Sequence, residues 1–323
     1  PEHITREVWR QVSSFAGYSF SKAHSASFAV ESYQSLYLKT YFPKEFMVAV
    51  LNNYGGFYNR ALYVQELKKA GAVVHLPCVN RSSAAVSISR DDAWLGLIGI
   101  QGLEERLISL IPGEVKRRGA FAGLEDFLKR TGIGLEQAIV LIRVGALRFT
   151  GKSKKALLWE LHMLFGGKTK RTDNAELFHM VPRQYALPEL SDTQLEDAYH
   201  ELELLGFPVS MSMFDLLKTD YRGQVRSENL GEYVGQTVKM VGQYVCEKTV
   251  RMRNGGKMWF GTFLDAKGDF FDTTHFPAST PIYPFRGAGC YLILGKVVSD
   301  FGLPAVEVQK FAKLPIFDNP VMG

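Results

Sequence analysis

The hydrophobic periodicity of this chain changes once, near residue 225. Before that point apolar residues recur mostly at three- and four-residue steps, as on one face of a helix, and the clearest case lies between Phe28 and Tyr37. From residue 226 to about 315 apolar and polar residues alternate, which is typical of strands with one buried face. The chain of 323 residues exceeds one typical core, so the change predicts a multi-domain protein, α-helical in its first two-thirds and all-β afterwards.

The predicted helices account for most of the first two-thirds of the chain. They are placed at 8–16, 27–40, 43–52, 59–71, 102–111, 123–131, 134–145, 152–165 and 191–205. A short strand-like passage interrupts them at 85–88 and 93–98. The helix at 27–40 should bury one face, formed by Phe28, Val30, Tyr33, Leu36 and Tyr37. A polar stretch at 166–174 predicts an exposed linker.

The last third of the chain predicts a small barrel. Strands are placed at 237–253, 257–265, 269–275, 290–299 and 305–311. Asn254 and Gly255 should join the first two as a tight hairpin, because both residues tolerate positive φ. A long first strand and a gap after the third strand predict an OB-fold barrel. The gap contains Pro277, Pro281 and Pro284, which disfavour a helix there.

Composition limits the class of protein and its compartment. The chain has 46% hydrophobic and 22% charged residues, and no apolar run approaches the ~18 residues that span a bilayer. No secretory leader pattern opens it. Its three cysteines share no metal-ligand spacing, so we expect a reduced, cytoplasmic protein. Pro1 lies inside a helical pattern, which favours a piece of a larger parent protein.

Charge is distributed in two blocks of opposite sign. Between Arg143 and Arg171 there are eight lysines and arginines against the single acid Glu160. Between Asp173 and Glu203 there are eight acids against one arginine. Such blocks often only face solvent, but a basic stretch beside glycines also suits the phosphate backbone of a nucleic acid. Both interpretations remain open from charge alone.

Cationic and aromatic side chains alternate around the predicted hairpin of the barrel. Arg251 and Arg253 share one face of the first strand, and Lys257, Trp259 and Phe260 follow on the second. Cations attract phosphates and aromatic rings stack on bases, so Arg251, Arg253, Lys257 and Trp259 are predicted to bind single-stranded DNA. The alternative places Trp259 or Phe260 in the barrel core, since neighbouring residues point to opposite faces.

The sequence Gly-Ile-Gln-Gly-Leu-Glu at 99–104 leads into a helix that begins near Glu105. Helix-hairpin-helix modules place such a turn at a helix N-terminus, where backbone N–H groups point at a DNA phosphate. A second half of the module is predicted at 134–147, beside several cations. The predicted contacts to a duplex backbone are Gly102, Arg143, Arg148, Lys152, Lys154 and Lys155. The alternative for the first turn is a purely structural role.

Three runs of residues near the start carry a resemblance to a known family. They are Gly17-Tyr18-Ser19-Phe20-Ser21-Lys22-Ala23-His24-Ser25, then Ser32-Tyr33 with Tyr37-Leu38-Lys39, then Tyr41-Phe42-Pro43-Lys44-Glu45-Phe46. Together they resemble the end of the fingers domain of the bacterial DNA polymerase III alpha subunit. The segments at 99–104, 134–147 and 249–265 resemble later parts of that family in the same order. The resemblance therefore covers essentially the whole chain.

The resemblance implies three domains and a set of partners. The domains are the C-terminal part of the polymerase fingers at 1–75, a helix-hairpin-helix and clamp-binding domain at 76–225, and an OB-fold nucleic-acid-binding domain at 226–323. The implied parent is a DNA-directed DNA polymerase that extends primers from deoxynucleoside triphosphates. Its partners would be primer–template and single-stranded DNA, a sliding clamp and other holoenzyme subunits, with no membrane. A replicative enzyme and an error-prone paralogue fit equally well.

Three details of this chain take their interpretation from the resemblance. Lys22 and His24 fall in the fingers loop near template and incoming nucleotide, and the alternative is a capping or surface role. Asn174, Leu177 and Phe178 fall where the family has its internal sliding-clamp motif, with Asn174 in place of the usual Gln. The alternative is that Leu177 and Phe178 fold back onto the domain. Glu104 stands where the family's hairpin has a second glycine, which weakens its case as a phosphate site.

The residues that would carry out polymerisation are absent from this sequence. The family holds a pair of Mg²⁺ ions on palm aspartates in a Pro-Asp-x-Asp-x-Asp type strand, and no such run occurs here. We therefore expect no catalytic residue, metal ligand or cofactor in this fragment, Mg²⁺ in the parent's palm, and no polymerase activity from the fragment alone. The rivals are a non-enzymatic single-stranded-DNA-binding or clamp-interacting scaffold and, ranked lower, a tRNA-binding or helicase accessory OB protein.

Overall fold

The computed structural model describes residues 2–15, 22–53, 56–166, 191–252, 255–300 and 302–320. Asn174, Leu177, Phe178 and Arg253 lie outside these ranges, as does the predicted linker beyond residue 166. The helices are α1 Glu2–Phe15, α2 Lys22–Tyr41, α3 Pro43–Asn52, α4 Arg60–Lys69, α5 Glu105–Arg118, α6 Leu124–Thr131, α7 Leu135–Arg143, α8 Lys154–Gly166 and α9 Gln194–Leu205. Within the described ranges no helix is long and apolar enough to cross a membrane.

Local sequence explains where several of these helices begin. Pro43 opens α3, where its fixed φ suits a first helical residue and its missing N–H has no partner to lose. Asn59 caps α4 by accepting a hydrogen bond from the Leu62 N–H at 3.1 Å. Thr193 and Glu196 form a reciprocal capping box at the start of α9. These signals are local, and the helices they open were placed to within a few residues.

The predicted end of the helix at residue 111 is wrong, because α5 continues through Pro112 to Arg118. Proline removes one helical hydrogen bond and favours a kink. Here the apolar face of α5 supplies the compensation, since Leu107 and Ile111 are fully buried in the core. Tertiary packing therefore decides the length of this helix against the local signal.

The strand-like passage in the helical region forms a three-stranded sheet. Its strands are β1 Val73–His75, β2 Ser87–Ser89 and β3 Asp92–Trp94, in the order β1-β3-β2, with β1 parallel and β2 antiparallel to β3. The two predicted strands are shorter than expected, and β1 was not predicted. A three-residue strand with two half-buried residues leaves almost no pattern in the sequence.

One hydrophobic core joins α3 and α4 to the rest of the helical region. Its members include Met47 of α3, Leu67 of α4, Leu107 of α5, Leu141 of α7 and Phe207 after α9. The core therefore continues across residue 75, where a domain boundary was predicted. The two predicted boundaries, after residues 75 and 225, stay predictions.

The predicted burial of one face of α2 is wrong for the described part of the chain. Phe28 is 54% exposed, Tyr33 74% and Leu36 64%. The apolar stripe exists, as the sequence indicates, but no described element covers it. α1 likewise exposes Trp9.

The last third forms a closed barrel in the strand order β4-β5-β6-β8-β7. The strands are β4 Thr237–Arg251, β5 Lys257–Leu264, β6 Phe270–His275, β7 Cys290–Asp300 and β8 Leu303–Lys313. β6 and β8 are parallel and the other pairs are antiparallel. The bent first strand pairs with both β5 and β7, as an OB fold requires. The predicted fold class, helical and then an OB barrel, is confirmed.

The segment between β6 and β7 forms turns rather than a helix, as its prolines predicted. Phe285 from this segment packs into one end of the barrel. Its ring lies 4.6 Å from that of His275, 4.9 Å from Phe311 and 5.3 Å from Trp259, measured between centroids. Phe285 and the aromatic rings around it thus cover this end of the barrel, where a helix would otherwise lie.

A polar contact joins the barrel to the helical region. Lys69 Nζ of α4 donates to the Gly268 carbonyl at 3.0 Å and pairs with Asp269 Oδ1 at 2.8 Å. The turn that carries these acceptors is held by buried Asp265, which accepts from the N–H of Lys267 at 2.9 Å and of Ser227 at 3.0 Å. Asp265, an isolated acid in the sequence, is therefore a structural residue.

Candidate nucleic-acid interface

The first glycine turn, Gly102-Leu103-Glu104, is already occupied from within the chain. Its Glu104 N–H donates to Gln137 Oε1 at 2.8 Å, and Gln137 Nε2 donates to the Gly102 carbonyl at 3.0 Å. The Glu104 carboxylate accepts from Arg106 Nε at 2.5 Å. Gly102 has a φ of +77°, and a Cβ there would meet nothing within 4 Å. The predicted phosphate contact at this turn would have to displace Gln137.

A second glycine turn, Gly132-Ile133-Gly134, opens α7. Gly132 has a φ of +60°, Ile133 is buried, and Gly134 caps the helix without a side-chain hydrogen bond. A Cβ at either glycine would meet nothing within 4 Å. Gly134 is exposed and no side chain caps α7, so its first turn offers uncapped N–H groups at the positive end of a helix dipole, an arrangement that suits a phosphate.

The predicted second half of the module begins at Gly134, so the prediction did not include Gly132 and Ile133 of this turn. The available signal was the Gly-x-Gly spacing around the apolar Ile133, directly after a helix that ends at Thr131. In the first turn the corresponding third position is Glu104. Of the two turns, the second has the composition that a close approach of phosphate to backbone requires.

The described parts of the two charge blocks, residues 143–166 and 191–203, lie against each other. Arg148 of the segment between α7 and α8 pairs with Asp197 of α9 at 2.9 Å, and Lys155 of α8 pairs with Glu196 at 2.8 Å. Arg143 pairs with Glu203, and Lys152 pairs with Glu160 inside the basic block. Phosphate contact by these cations stays a prediction, and DNA would have to compete with an acid for each of them.

Lys154 belongs to the interior of the helical region and not to its surface. Its Nζ lies 2.5 Å from Asp197 Oδ1, and the residue is 5% exposed. Burial lowers the pKa of Lys154, and Asp197 opposes that effect. Burial, together with Lys154 and Arg143, also lowers the pKa of neighbouring His200 to about 4. A phosphate could reach Lys154 only after the pair with Asp197 had opened, and contact of Lys154 with a duplex stays a prediction.

A group of cations at the end of α5 was not singled out in the sequence. Arg117, Arg118 and Arg130 all lie within ion-pair distance of buried Glu114. Arg130 also donates to the Gly119 carbonyl at 2.8 Å and lies over the Phe121 ring. Arg130 is thus used in holding the turn between α5 and α6, whereas Arg117 and Arg118 remain more than half exposed.

The cations of the barrel hairpin differ from those of the helical region. Lys248 and Arg251 on β4 and Lys257 on β5 are exposed. In the part of the chain that the structure describes, no acidic side chain lies within ion-pair distance of any of the three. Arg251 and Lys257 face each other directly across the two strands. Their charge is therefore available to an anionic partner.

The two aromatic residues of β5 point to opposite faces. Trp259 lies opposite buried His275 on the inner side, packs on Phe285, and has an indole nitrogen that is buried without a hydrogen-bond partner among the described residues. Phe260 points outward and is 41% exposed, between Lys248 on β4 and Thr274 on β6. Of the two alternatives, core packing holds for Trp259, and Phe260 and Lys248 join the candidate surface in its place.

The fingers residues Lys22 and His24 lie at the start of α2. The His24 ring contacts that of Phe28 one turn later, at 4.4 Å between centroids. Their contact with template or nucleotide stays a prediction. The described residues contain no group of three or more His, Cys, Asp or Glu that could hold a metal ion.

Comparison with known proteins agrees with this geometry. A family model described as a helix-hairpin-helix motif matches residues 71–157, which contain both glycine turns. A crystal structure of a single-stranded DNA binding protein from Thermus aquaticus aligns with 26% of this chain and 42% of its own, at 16% identity and a TM-score of 0.24. The assignment of the OB barrel rests on the strand order instead.

Similarity in sequence extends over most of the chain. The DNA polymerase III subunit alpha of Borreliella burgdorferi is 28% identical over 96% of this chain, and that of Aquifex aeolicus is 28% identical over 83%. An error-prone DNA polymerase of Bdellovibrio bacteriovorus is 32% identical over 49%. The chain spans 28%, 23% and 15% of these relatives' lengths, respectively. The resemblance stated from sequence motifs is thus confirmed, with both kinds of polymerase among the relatives.

Proposed function

We propose that this chain is the DNA-handling portion of a bacterial DNA polymerase of the polymerase III alpha type. In this proposal the second glycine turn binds the backbone of the duplex, and the exposed residues of β4 and β5 near their hairpin bind single-stranded template. The parent extends primers from deoxynucleoside triphosphates in the cytoplasm. Similarity to polymerases over nearly the whole chain supports the proposal at the level of the family.

The observation that carries the single-strand part is the exposed surface of β4 and β5. Lys248, Arg251 and Lys257 are exposed and have no acidic partner among the described residues. Lys248 lies directly opposite outward-facing Phe260, and Arg251 faces Lys257 on the alternate face at the hairpin end of the same two strands. Cations that follow a phosphate backbone and a ring on which a base stacks are the two requirements for binding a single strand. OB barrels present their second and third strands to oligonucleotides, and Phe260 lies on the second.

The chemistry of nucleotide transfer is assigned to other parts of the parent. This chain has no run of aspartates that could hold paired Mg²⁺ ions, so no catalytic step is derived for it. In this proposal its own residues position the DNA: the helical region binds the duplex, and the barrel binds the single-stranded template. We propose that the chain alone does not extend a primer.

Clamp docking through Asn174, Leu177 and Phe178 is a separate part of the proposal. The motif lies outside the described residues and is supported by its sequence and by its place in the chain. Binding of the chain to a purified bacterial sliding clamp, measured by surface plasmon resonance, tests it. Loss of binding in Leu177→Ala/Phe178→Ala, with DNA affinity unchanged, is expected. Equal binding by both proteins would contradict the assignment.

Fluorescence anisotropy tests the DNA-binding proposal directly. Labelled single-stranded and primer–template DNA are titrated with the chain, with Phe260→Ala, and with the control Phe270→Ala. Phe270 is equally exposed but lies at the far end of β6. We expect Phe260→Ala to weaken single-strand binding by about tenfold, as the loss of one stacked base predicts. Equal affinity of the two variants would remove Phe260 from the interface, and no binding of either DNA by the unmodified chain would refute the proposal.

A further inference from the structure

The two glycine turns of the helical region occupy equivalent positions. Gly102-Leu103-Glu104 leads into α5 in the same way as Gly132-Ile133-Gly134 leads into α7. Gly102 and Gly132 both have positive φ, at +77° and +60°. Glu104 and Gly134 each precede the first helical residue. The backbone N–H of Glu104 is therefore the counterpart of that of Gly134.

Gln137 breaks this equivalence. Its side chain projects from the first turn of α7 to the other hairpin, where it accepts from the Glu104 N–H at 2.8 Å and donates to the Gly102 carbonyl at 3.0 Å. The residue at the matching place in α5 is Leu107, which is fully buried and has no side-chain atom that can accept a hydrogen bond. Among the described residues, nothing accepts a hydrogen bond from the Gly134 N–H.

The local charge does not separate the two turns. The first has Glu104 and Glu105 with Arg106 nearby, and the second has Glu136 in the first turn of α7. Each therefore carries one net negative side-chain charge. Two differences remain. The Glu104 N–H is bound to Gln137, and the third position of the turn carries a glutamate side chain in the first turn and none in the second. Because of these two differences, the Glu104 N–H of the first turn is not available to a phosphate, whereas the Gly134 N–H of the second turn is.

We propose that Gln137 closes the first hairpin, so that this module contacts a duplex through the second hairpin alone. The inference rests on the proposed function, because it concerns which turn receives the phosphate. Gln137 is a positioning residue: it uses the first turn as an internal hydrogen-bond partner and fixes the start of α7 against it. Opening the first hairpin would require removal of both Gln137 and the Glu104 side chain.

A matched pair of variants tests which turn is used. Gly102→Ala and Gly132→Ala place the same methyl group at positive φ, with nothing within 4 Å of it at either site. Backbone strain is therefore similar in both. We expect Gly132→Ala to weaken duplex binding by about tenfold, and Gly102→Ala to leave it unchanged. Equal weakening by both variants would overturn the inference.

A gain of binding provides the converse test. Glu104→Gly alone should leave duplex affinity unchanged, because Gln137 still occupies the amide. Glu104→Gly combined with Gln137→Leu, which copies Leu107, should tighten binding by about tenfold if the reopened turn accepts a phosphate. A loss of folded protein cannot produce such a gain. The same gain from Glu104→Gly alone would show that Gln137 closes nothing.

Amide hydrogen exchange tests closure without DNA and so separates this inference from the proposed function. In the full chain the Glu104 amide should exchange about tenfold more slowly than the Gly134 amide, and Gln137→Leu should abolish the difference. Fast exchange at Glu104 in the unmodified chain would overturn the inference. Failure of the unmodified chain to bind duplex would refute the duplex part of the proposed function, while the exchange result would still decide whether Gln137 closes the turn.

Discussion

Lys154 and Asp197 form an ion pair inside the helical region, with 2.5 Å between Nζ and Oδ1. In the sequence Lys154 belongs to the basic block at 143–171 and Asp197 to the acidic block at 173–203. In the structure α9 lies against the basic stretch, and Arg148 shares Asp197 with Lys154. Four described cations of the basic block therefore pair with acids of α9: Arg143, Arg148, Lys154 and Lys155. The cations of β4 and β5 differ, because among the described residues no acidic side chain lies within ion-pair distance of Lys248, Arg251 or Lys257.

Removal of Asp197 should destabilise the helical region strongly. Asp197→Asn leaves the buried ammonium of Lys154 without its counter-charge, which costs about 3 kcal/mol in comparable buried pairs. Glu203→Gln breaks the more exposed pair with Arg143 and should cost about 0–1 kcal/mol. Urea denaturation followed by circular dichroism measures both free energies of unfolding. Equal decreases in the free energy of unfolding would mean that the buried pair stabilises the fold no more than the exposed pair does.

Acid should destabilise the barrel through His275. Thr273 Oγ1 donates to the Gly261 carbonyl at 3.0 Å and lies 3.1 Å from His275 Nε2, so the neutral ring donates from Nε2. Its buried Nδ1 has no partner among the described residues. Protonation would therefore place a charged N–H in an aromatic cluster without an acceptor. Burial accordingly lowers the pKa of His275 to about 4.

The sign of the pH dependence follows from that shift. The folded-state pKa lies below the ordinary value of 6.5, so the stabilising contribution is complete above pH 6.5 and is lost as pH falls through about 4. The shift corresponds to about 3 kcal/mol. His275→Phe should remove this part of the pH dependence of unfolding, whereas the exposed-site control His162→Gln should keep it. Parallel stability curves for the chain and His275→Phe would contradict the prediction.

Substitution of Trp259 should lower the stability of the barrel, whereas substitution of Phe260 should leave its stability nearly unchanged. Trp259→Ala removes a ring that packs on Phe285 and should lower the stability of the barrel by about 3 kcal/mol. Phe260→Ala removes an outward ring and should change stability by less than about 1 kcal/mol. Thermal unfolding gives the two values. If Phe260→Ala proved the more destabilising, the assignment of inner and outer faces would be wrong.

Much of the fold could be predicted from the sequence because its signals are local and periodic. Alternation marks the strands of the barrel, and Pro43 and Asn59 mark helix starts. The site was less predictable for two physical reasons. Ion pairing depends on which elements meet in space, so the partners of Arg148 and Lys154 could not be read from the chain. The face on which a side chain lies depends on the register of its strand in the folded sheet. Whether Trp259 or Phe260 points outward therefore could not be predicted from the sequence.

The second glycine turn and the role of Gln137 differ in how far the sequence could predict them. The Gly-x-Gly spacing at 132–134 was present in the sequence, and it would have been found by searching every helix start for that spacing. The role of Gln137 would not have been found, because nothing in the sequence pairs it with Glu104. Buried faces are equally a tertiary property, as the exposed stripe of α2 shows. A pattern indicates which face is apolar, and only the folded chain shows what covers it.

Salt dependence should distinguish cations that are free from cations that are already paired. Each lysine that neutralises a phosphate of a single strand contributes about 0.7 to the slope of log K against log salt concentration. Lys257 has no acidic partner among the described residues, so Lys257→Ala should lower that slope by about 0.7. Lys155, a predicted duplex contact, pairs with Glu196 at 2.8 Å, so Lys155→Ala should change the corresponding slope for primer–template DNA little. Anisotropy titrations at several salt concentrations measure the slope of Lys257→Ala with single-stranded DNA and that of Lys155→Ala with primer–template DNA. Equal reductions would show that ion pairing with α9 does not withhold the basic stretch from DNA, and would restore its cations to the interface.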